Sequence, residues 1–370
     1  MKILHVLNEI RYSGAEVMLT AAAPFLKDQG FELHALSTGP EPGEYAGTLE
    51  RAGYRLHHVR FTKTPFYFLQ LIRLLRKGRF NVVHIHPERA FFWHAIVARI
   101  VGVRTIVRTI HSVFLFSGFL RFKRMIQRWV AKNLLGVKFV SIGPSVSEVE
   151  RRVLFNKTTM IPNWVDEKVF VPAADEDERK QARLKYGLPL SDIIAVSVGA
   201  CTEQKNHIAI INAMMELHET LEHITYLHVG EGPLLPDEMQ LIKEAGIEGM
   251  TRFIYQTHNV REILIASDIF VMPSLYEGLG LSCIEAMSCG LPIVAYDCYG
   301  LRDVVVNGRT GFLVPPDPRS LAARIKELAS NEKLRKTLGV EARRTVLENF
   351  DMRRSVGSLL KLYQGQLMNR

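Results

Sequence analysis

The sequence predicts an α/β protein built from two doubly wound parallel sheets, and three observations support this fold class. Short apolar runs alternate with amphipathic segments of helical period, which is typical of βαβ units. This alternation occurs twice and is interrupted once, around residues 161–166. At 370 residues the chain is long enough for two domains with separate cores. We therefore expect two similar halves that face a central cleft.

The first half of the chain, residues 1–168, is expected to form one Rossmann-like domain. Apolar runs that favour strands are separated by amphipathic stretches that favour helices. The strand candidates are residues 3–7, 31–37, 55–58, 82–85, 105–109 and 138–142. The helix candidates are residues 16–29, 66–77, 90–101, 119–135 and 145–154. Short loops between them predict parallel pairing of the strands.

The second half, residues 169–350, is expected to form a second Rossmann-like domain. We interpret the interruption at residues 161–166, with the charged stretch of residues 175–185 that follows it, as the linker region. Its strand candidates are residues 193–198, 225–229, 251–255, 268–272 and 292–295. Its helix candidates are residues 208–219, 236–245, 259–266 and 318–329. A last helical segment within residues 351–370 lies beyond this sheet. We expect it to pack back on the first domain.

The composition is that of an ordinary globular protein, with 47% hydrophobic and 23% charged residues. The apolar start of the chain, residues 1–7, is too short for a signal peptide and predicts a first strand. No apolar run reaches the roughly 18 residues that a membrane-spanning helix needs. Four cysteines without C-x-x-C spacing indicate reduced thiols in a cytoplasmic protein. They are Cys201, Cys283, Cys289 and Cys298.

The net charge of +9 is concentrated in the first half. Residues 1–168 carry 25 Lys and Arg against 12 Asp and Glu, whereas the remainder carries 22 against 26. No acidic residue occurs between Glu88 and Glu148, where ten Lys and Arg are found. This asymmetry points to a polyanionic partner, either nucleic acid or an anionic membrane surface. Since no recognised nucleic-acid-binding module is present, we expect the membrane surface and no nucleic acid.

The most informative stretch is residues 273–292, which follow a buried strand candidate. A glycine-broken loop there feeds a helical segment, and a helix N-terminus offers backbone N–H groups to an anion. Glu277 in the loop and Glu285, expected in the first helical turn, bracket this site, with Gly280 between them. Each has an alternative, since Ser282-x-x-Glu285 could be a capping box and Glu277 a solvated loop residue. Together they favour a ligand site.

Further glycine turns follow other strand candidates of the second half. Lys205 stands at a helix start after Gly199, a position suited to a diphosphate, although a lone lysine is normally only solvated. Neither a G-x-x-x-x-G-K-[ST] loop nor a carboxylate cluster for Mg²⁺ occurs, which argues against nucleotide hydrolysis. The missing G-x-G-x-x-G turn argues against a dinucleotide enzyme. The other turns are residues 230–233, 297–300 and 308–311, and the set indicates a nucleotide-diphosphate pocket.

In the first half, candidate ligand groups follow three strand candidates. Gly14 could bring the backbone close to a phosphate or serve turn geometry only, and Arg11 beside it could add charge or be exposed. His86 and His111 each end a strand, where parallel sheets display ligand-facing groups. For His86, which shares a strand face with His84, a structural role is favoured; for His111 a cleft position is favoured. Neither has metal-ligand neighbours at a familiar spacing, so no metal is expected.

The segment of residues 114–138 has ten aromatic and aliphatic side chains between Phe114 and Val130, together with six Lys and Arg and no acid. This make-up is typical of an interfacial helix on anionic lipid. A core helix of the first domain with a solvated basic face would have the same composition. The sequence leaves both interpretations open.

Taken together, these motifs make the chain similar to the retaining glycosyltransferases of group 1, family 4, which have the GT-B fold. The resemblance covers most of the chain and is far more specific than one glycine motif. It rests on Ser13-Gly14-Ala15-Glu16, Ile161-Pro162-Asn163-x-Val165-Asp166, Gly199 with Lys205-Asn206, Gly230-Glu231-Gly232-Pro233, the Glu277/Glu285 pair and Asn307-Gly308-x-Thr310-Gly311-Phe312.

The resemblance implies a nucleotide-diphosphate-sugar donor held by the second domain and an acceptor held by the first. Lys205 would bind the diphosphate, Glu277 the donor sugar and Glu285 the ribose. The implied donor-binding residues are Gly14, Lys205, Gln256 at the base, Glu277, Gly280, Leu281, Ser282 and Glu285. The implied catalytic residues are His111, Glu277 and Lys205, with Arg11, His86 and His111 on the acceptor side. No metal and no cofactor besides the nucleotide-sugar co-substrate is expected.

Two departures from the family pattern affect these implications. The family commonly has Arg directly after the glycine that Gly199 matches, whereas this chain has Ala200. One charge opposite the leaving group is therefore missing, and Arg11 or Arg302 could substitute for it. The usual glycine of the 161–166 motif is Trp164, which could change hinge or acceptor-edge geometry.

We interpret the chain as a hexosyltransferase-type enzyme that transfers a sugar, with retention, to a hydroxyl acceptor. The expected acceptor is a lipid-linked saccharide of surface polysaccharide synthesis, met by a cytoplasmic enzyme peripheral on the inner face of the cell membrane. One alternative is a nucleotide-sugar epimerase on the same fold, which would need no acceptor. Another is a catalytically inactive sugar-nucleotide-binding partner protein, for which Ala200 is the sole support.

Overall fold

A computed structural model describes residues 1–255, 257 and 259–365. The described chain divides into two compact units, which we call unit 1 and unit 2. Unit 1 comprises Met1–Trp164 and the segment from Met352 onward, and unit 2 comprises Val165–Asp351. Each unit contains one parallel sheet with connecting helices. The predicted α/β class with two doubly wound sheets is therefore confirmed.

Unit 1 contains seven strands joined by helical crossovers. The strands are β1 (Lys2–Leu7), β2 (Glu32–Ser37), β3 (Arg55–His58), β4 (Val82–Ile85), β5 (Thr105–Ile110), β6 (Val137–Ser141) and β7 (Thr159–Met160). The helices before the crossing to unit 2 are α1 (Gly14–Asp28), α2 (Ala46–Ala52), α3 (Pro65–Gly78), α4 (Phe91–Ile100), α5 (Gly118–Asn133) and α6 (Pro144–Val153). The sheet order is β3-β2-β1-β4-β5-β6-β7, and all pairs are parallel.

Unit 2 contains six parallel strands in the order β10-β9-β8-β11-β12-β13. These strands are β8 (Ile193–Val198), β9 (Ile224–Val229), β10 (Thr251–Ile254), β11 (Ile269–Met272), β12 (Ile293–Tyr296) and β13 (Gly311–Val314). Its helices are α7 (Glu176–Lys185), α8 (Ile208–His218), α9 (Leu235–Glu244), α10 (Val260–Ala266), α11 (Leu281–Ser288), α12 (Pro318–Ser330) and α13 (Glu332–Asn349). A short 3-10 helix, Glu248–Met250, precedes β10.

The last helix, α14 (Met352–Tyr363), belongs to unit 1. The Tyr363 hydroxyl lies 2.6 Å from Nδ1 of His84 in β4, and Lys138 of β6 donates to the carbonyl of Leu362 at 2.9 Å. Hydrogen bonds to two central strands fasten this helix to the first sheet.

Residues 175–185, included in the linker region from the sequence, form helix α7 within unit 2, so that part of the interpretation is wrong, whereas the boundary between the units falls within residues 161–166. The Asp175 side chain caps the helix by accepting from the Glu178 N–H at 2.8 Å. Arg183 is buried and donates to the carboxylate of Asp268 at 2.6 Å. An ion pair, rather than an apolar stripe, therefore holds this highly charged helix against the sheet.

Helix α5 presents its aromatic side chains to solvent, so the core-helix interpretation is wrong. Phe119 is 81% exposed, Trp129 60% and Phe122 54%. Within this fully described helix, only Arg128 and Ala131 are buried. No helix among the described residues combines the length and apolar character needed to cross a membrane.

In both sheets the strand order reverses direction at one point, and candidate residues follow the strands on either side of it. In unit 1 this switch point lies between β1 and β4, and in unit 2 between β8 and β11. Loops at the carboxyl ends of the strands flanking such a point diverge and leave a crevice where ligands bind. Gly14 and His86 follow the switch-point strands of unit 1, whereas Lys205 and Glu277 follow those of unit 2.

A buried network of four charges joins α5 and α6 to the first sheet. Arg128 donates to both oxygens of Glu150, at 2.7 and 2.8 Å, and to Glu88 at 3.1 Å. Arg108 of β5 donates to the same Glu88 at 3.0 Å. Both guanidinium groups lie 5.6 Å from the ring centroid of Phe91. The Arg108 and Arg128 guanidinium groups hold the pKa of Glu88 below its ordinary value although burial opposes this.

Replacing Arg128 with leucine is expected to destabilise unit 1 by about 3–5 kcal/mol, because Glu150 and Glu88 would remain buried without full compensation. The measurement is urea denaturation followed by tryptophan fluorescence. The matched control is Lys123→Leu, at an exposed position of the same helix, with an expected change within about 0.5 kcal/mol. Equal effects of both substitutions would contradict a stabilising role for the network.

Candidate functional site

Two turns at the switch point of unit 2, residues 199–207 and 273–280, are joined side by side. The Leu275 N–H donates to the carbonyl of Gln204 at 2.9 Å, and the Gln204 side-chain amide donates to the carbonyl of Tyr276 at 2.9 Å. Asn206, with a φ of 54°, donates from its side chain to the carbonyl of Pro273 at 3.3 Å. These bonds place the first turn, which carries Lys205, against the second, which carries Glu277.

Two further turns pack backbone against backbone on this pair. A Cβ atom on Gly230 would lie 2.1 Å from the carbonyl oxygen of Gly199, and one on Gly232 would lie 2.4 Å from that of Cys201. A Cβ atom on Gly300 would lie 2.6 Å from the carbonyl oxygen of Glu277. Only glycine permits these approaches, so the glycine turns noted in the sequence shape one site.

The centre of this site is an ion pair. Lys205 Nζ donates to Glu277 Oε1 at 2.8 Å, and the Glu277 side chain is 9% exposed whereas that of Lys205 is 22% exposed. The aliphatic stem of Lys205 lies over Gly199. Glu277 is therefore not a solvated loop residue. The lysine keeps part of its ammonium accessible, and an ammonium has more than one donor to offer.

Helix α11 begins beside this pair. Its N-cap is Gly280, with a φ of 71°, and the N–H groups of Cys283 and Ile284 both reach the Gly280 carbonyl. By helix geometry the N–H groups of Leu281 and Ser282 have no partner within the helix and point outward. The N-terminus of α11 can thus receive an anion.

The capping box suggested by Ser282-x-x-Glu285 is wrong. Because the N-cap is Gly280, Ser282 is the second helical residue and Glu285 lies in the second turn rather than the first. Burial raises the pKa of Glu285 to about 8, while the charge of Lys205 opposes that shift. At neutral pH this carboxyl group is mainly protonated, so it can both donate to and accept from a ligand hydroxyl.

The predicted site residues fall into two groups. Lys205, Glu277 and the start of α11 at Gly280, Leu281 and Ser282 lie together in unit 2, with Glu285 one turn further along the helix. The remaining candidates, Gly14, Arg11, His86 and His111, belong to unit 1. Gln256, expected at the base, lies outside the described residues.

Ala200 is exposed, and of the two arginines proposed to replace the missing family charge, Arg302 lies in the same unit. It donates to the Asp297 carboxylate at 3.1 Å and lies 5.3 Å from the Tyr299 ring centroid. The Tyr299 carbonyl accepts from the Glu277 N–H at 2.9 Å. The turn that carries Arg302 is therefore bonded directly to the loop of Glu277.

In unit 1, His86 and His111 form a hydrogen-bonded chain with His5. Nδ1 of His5 lies 3.0 Å from Nε2 of His86, and Nδ1 of His86 lies 2.8 Å from Nε2 of His111. Burial lowers the pKa of His5 and of His111 to about 3 and that of His86 well below its ordinary value. The chain is therefore neutral, and its tautomers are coupled from ring to ring. Of the three histidines, His111 is the one that directly precedes residues 112–117, which contain no helix or strand and lead to α5.

Although His86 and His111 have no metal-ligand neighbours at a familiar sequence spacing, the fold brings ring nitrogens of His5, His84 and His86 within 4.8 Å of one another. Both nitrogens of His84 are already engaged, by the Tyr363 hydroxyl at 2.6 Å and the Thr109 hydroxyl at 2.7 Å. Sequence reasoning missed His5, which pairs with His84 across β1 and β4. The signal was a histidine in the first strand opposite a His-x-His strand.

The remaining unit 1 candidates occupy the start of α1. Gly14 is its first residue behind the N-cap Ser13, whose hydroxyl donates to the Glu16 carboxylate. Burial raises the pKa of Glu16 to about 7. Arg11 donates to the Glu9 carboxylate at 2.7 Å and remains exposed. Trp164 is buried in the same unit and lines a cavity with His86, His111 and Asn163.

Glu285→Gln is expected to stabilise the protein at alkaline pH. The folded-state pKa of about 8 exceeds the ordinary 4.5, so the stability tied to this proton is full below pH 4.5 and is lost as the pH rises through 8. An uncharged glutamine removes that loss. Because the side chain keeps partial solvent access, we expect a gain of only about 1 kcal/mol.

The measurement is the thermal midpoint of both proteins from pH 5 to pH 9. The difference between them should be near zero at pH 5 and grow toward pH 9. Glu219→Gln, at an exposed position, serves as the control and should show no such trend. A pH-independent difference for Glu285→Gln would contradict the raised pKa.

Two family models match the chain. The model for Glycosyltransferase Family 4 matches residues 12–169, and that for Glycosyl transferases group 1 matches residues 178–345. They correspond closely to the Met1–Trp164 part of unit 1 and to unit 2, respectively.

Relatives of known name match over the full length. The chain is 23% identical over 382 residues to the UDP-Gal:alpha-D-GlcNAc-diphosphoundecaprenol alpha-1,3-galactosyltransferase of Escherichia coli, with 100% of this chain and 98% of that protein covered. It is 26% identical over 379 residues to the putative glycosyltransferase EpsF of Bacillus subtilis, with 98% and 96% covered.

Solved structures share the fold over nearly all of the chain. A glycosyltransferase from Rickettsia africae superposes with a TM-score of 0.83 at 22% identity, covering 100% of this chain and 99% of that one. Anabaena HepE in complex with UDP-glucose superposes with a TM-score of 0.82 at 18% identity, covering 99% and 100%. The chain therefore belongs to the group 1, family 4 glycosyltransferases and has their GT-B fold of two Rossmann-like domains.

Proposed function

We propose that this glycosyltransferase moves a hexosyl group, with retention of anomeric configuration, from a nucleoside-diphosphate sugar to a hydroxyl of a lipid-linked saccharide. Unit 2 would hold the donor and unit 1 the acceptor. The observation that carries the donor assignment is the Lys205–Glu277 ion pair beside the N-terminus of α11. A cation and outward-facing helix amides suit a diphosphate, and an adjacent carboxylate suits sugar hydroxyls.

Each residue has a stated role in this proposal. Lys205 binds the diphosphate together with the N–H groups of Leu281 and Ser282. Glu277, oriented by Lys205, accepts hydrogen bonds from hydroxyls of the donor sugar. Glu285, largely protonated at neutral pH, donates to one ribose hydroxyl oxygen and accepts from the other ribose hydroxyl.

In the transfer step the acceptor oxygen forms a bond to the anomeric carbon while the bond from that carbon to the diphosphate oxygen breaks. The acceptor proton passes to an oxygen of the leaving diphosphate, so no separate base is required. The developing negative charge is met by Lys205 and by the α11 amides, which are already in place. Because these groups supply the stabilisation, we infer that the transfer itself needs no metal ion.

Relatives support the choice of donor. The Escherichia coli relative, which matches the whole chain, is named for UDP-Gal, and Anabaena HepE was solved with UDP-glucose. Uridine-diphosphate hexoses are therefore the first donors to test.

The acceptor and membrane assignments rest on helix α5. Its exposed aromatic residues Phe119, Phe122 and Trp129 stand among basic side chains in a segment without acidic residues. Aromatic rings and Lys or Arg together bind the headgroup region of an anionic bilayer. A lipid-linked acceptor would be met at such a surface, on the inner face of the cell membrane. The same Escherichia coli relative is named for a diphosphoundecaprenol-linked saccharide acceptor.

Lys205→Ala and Glu277→Gln are each expected to lower sugar transfer at least 100-fold, because each removes a group that contacts the donor. The measurement is transfer from a panel of UDP-hexoses to lipid extracts of bacterial membranes, with product identified by mass spectrometry. NMR of the new linkage should show the anomeric configuration of the donor. The matched control is Lys326→Ala, an exposed lysine of α12.

Unchanged transfer in both variants would refute the site, and inversion at the anomeric carbon would refute the mechanism. Formation of an epimerised sugar nucleotide without acceptor would instead establish an epimerase. Donor binding without any turnover would leave only the inactive-partner interpretation.

The double substitution Phe119→Ser and Trp129→Ser is expected to lower binding to vesicles that contain phosphatidylglycerol about tenfold or more. The reason is that two aromatic side chains, exposed in the protein and buried in the bilayer on binding, contribute at least about 1.4 kcal/mol to the binding free energy. Sedimentation with vesicles measures the binding. Leu184→Ser, at an exposed apolar position of unit 2, is the control. Equal binding of wild type to neutral phosphatidylcholine vesicles, or no effect of the double substitution, would contradict the assignment.

A further inference from the structure

Unit 2 carries a buried cluster of four residues with metal-ligating side chains that the proposed transfer step does not use. Cys201 lies in the turn after β8, His207 precedes α8, His228 is in β9 and Glu238 is in α9. Their exposed fractions are 0%, 3%, 0% and 1%, respectively. One turn, a strand and a helix thus direct a thiol, two imidazoles and a carboxylate into one closed space.

The distances within the cluster fit a tetrahedral ion. One ligand atom from each residue can be chosen so that all four lie within 4.8 Å of one another. Cys201 Sγ lies 3.2 Å from His228 Nε2, and His207 Nδ1 lies 3.4 Å from Glu238 Oε1. A tetrahedral zinc ion with bonds of about 2.0–2.3 Å separates its ligands by roughly 3.3–3.8 Å. These two separations are close to that range, and the remaining pairs, all within 4.8 Å, would need adjustments of at most about 1 Å.

Two atoms of the cluster have no hydrogen-bond partner among the residues that the structure describes. They are His207 Nδ1 and Glu238 Oε1, and both are buried. The two atoms lie 3.4 Å from each other and form an ion pair only when His207 is protonated, whereas a cation that accepts a lone pair from each would satisfy both with the imidazole neutral. A thiolate, a carboxylate and two neutral imidazoles around a divalent ion also sum to zero charge, which suits an interior site.

The groups behind the cluster orient one of its ligands. Nδ1 of His228 lies 3.0 Å from the Tyr226 hydroxyl and 3.3 Å from the Ser197 hydroxyl, and these hydroxyls lie 2.7 Å apart. In the tautomer that donates its Nδ1–H to these hydroxyls, Nε2 would present its lone pair toward Cys201. Such support of a histidine through its second nitrogen is usual at metal centres.

We propose that Cys201, His207, His228 and Glu238 form a structural zinc site. All four positions are filled by protein, which leaves no open coordination position for substrate and makes the site structural rather than catalytic. The ion would join β9 and α9 to the turn that carries Lys205, because Cys201 and His207 lie at the two ends of that turn. This site is independent of the proposed sugar transfer, which does not use the ion.

The test uses the full chain, purified without a histidine tag, incubated with Zn²⁺ and then gel-filtered. Elemental analysis should give ~1 zinc per chain for wild type and below about 0.2 for Cys201→Ser and for Glu238→Gln, since each loses one of four ligands. Cys289→Ser, a buried cysteine outside the cluster, is the matched control and should keep the wild-type value.

A second readout includes measurements on wild type alone, which do not depend on how well the variants fold. Wild type reconstituted with Co²⁺ should show the visible absorption of tetrahedral cobalt and a thiolate-to-cobalt charge-transfer band, and Cys201→Ser should lose that band. Zn²⁺ should also raise the thermal midpoint of wild type by several degrees and leave Cys201→Ser unchanged. Substoichiometric zinc in wild type, or the same cobalt spectrum with and without Cys201, would overturn the proposal. The cluster would then be an ordinary His207–Glu238 ion pair beside a buried thiol.

Discussion

The candidate donor site depends on contact between backbones that have no side chain between them. Gly230, Gly232 and Gly300 each occupy a place where a Cβ atom would collide with the main chain of a neighbouring turn. Because these contacts are backbone to backbone, the turns cannot rotate individually, and the positions of Lys205 and Glu277 are set by the sheet beneath them. Because the backbone at Lys205 and at Glu277 is fixed, the partly buried ion pair between their side chains forms with a smaller loss of conformational entropy.

In unit 1, buried charged side chains hold helix α5 to the rest of the unit. Arg128 is buried with Glu150 and Glu88, and this network is what holds α5 to the first sheet. Because ion pairs hold α5 in place, its aromatic side chains can remain exposed to solvent. A helix fastened by an ordinary apolar stripe would have to bury those rings. The basic, aromatic surface and the buried network are thus two consequences of one arrangement of side chains along α5.

Much of the fold follows from the sequence because parallel strands buried on both faces read as apolar runs. Strands β4 and β8 illustrate this and have the predicted limits of residues 82–85 and 193–198. Helix α7 was missed because its buried contact is an arginine with Asp268, which gives no apolar period. The capping-box error has a local cause: Gly280 caps α11 with its backbone in the left-handed region, which no side-chain pattern reveals.

Some parts of the candidate sites could be predicted from the sequence and others could not. The glycine turns, Lys205 and Glu277 could be named because strand ends of a parallel sheet meet at one edge. The histidine chain and the Cys201 cluster could not, because each depends on which strands are neighbours. His5 meets His84 through the pairing of β1 with β4, and Cys201 meets His228 through that of β8 with β9.

The bond between Tyr363 and His84 spans 279 residues, and nearly all of unit 2 is synthesised between them. A ribosome adding roughly 5–20 residues per second needs on the order of fifteen to fifty-five seconds to make those 279 residues. During this interval β4 has emerged with its histidine facing a place that α14 has yet to fill. The first sheet must therefore persist without this helix until residues 352–363 have been made, and docking of α14 is a late step in the assembly of a domain whose other elements precede unit 2 in the chain.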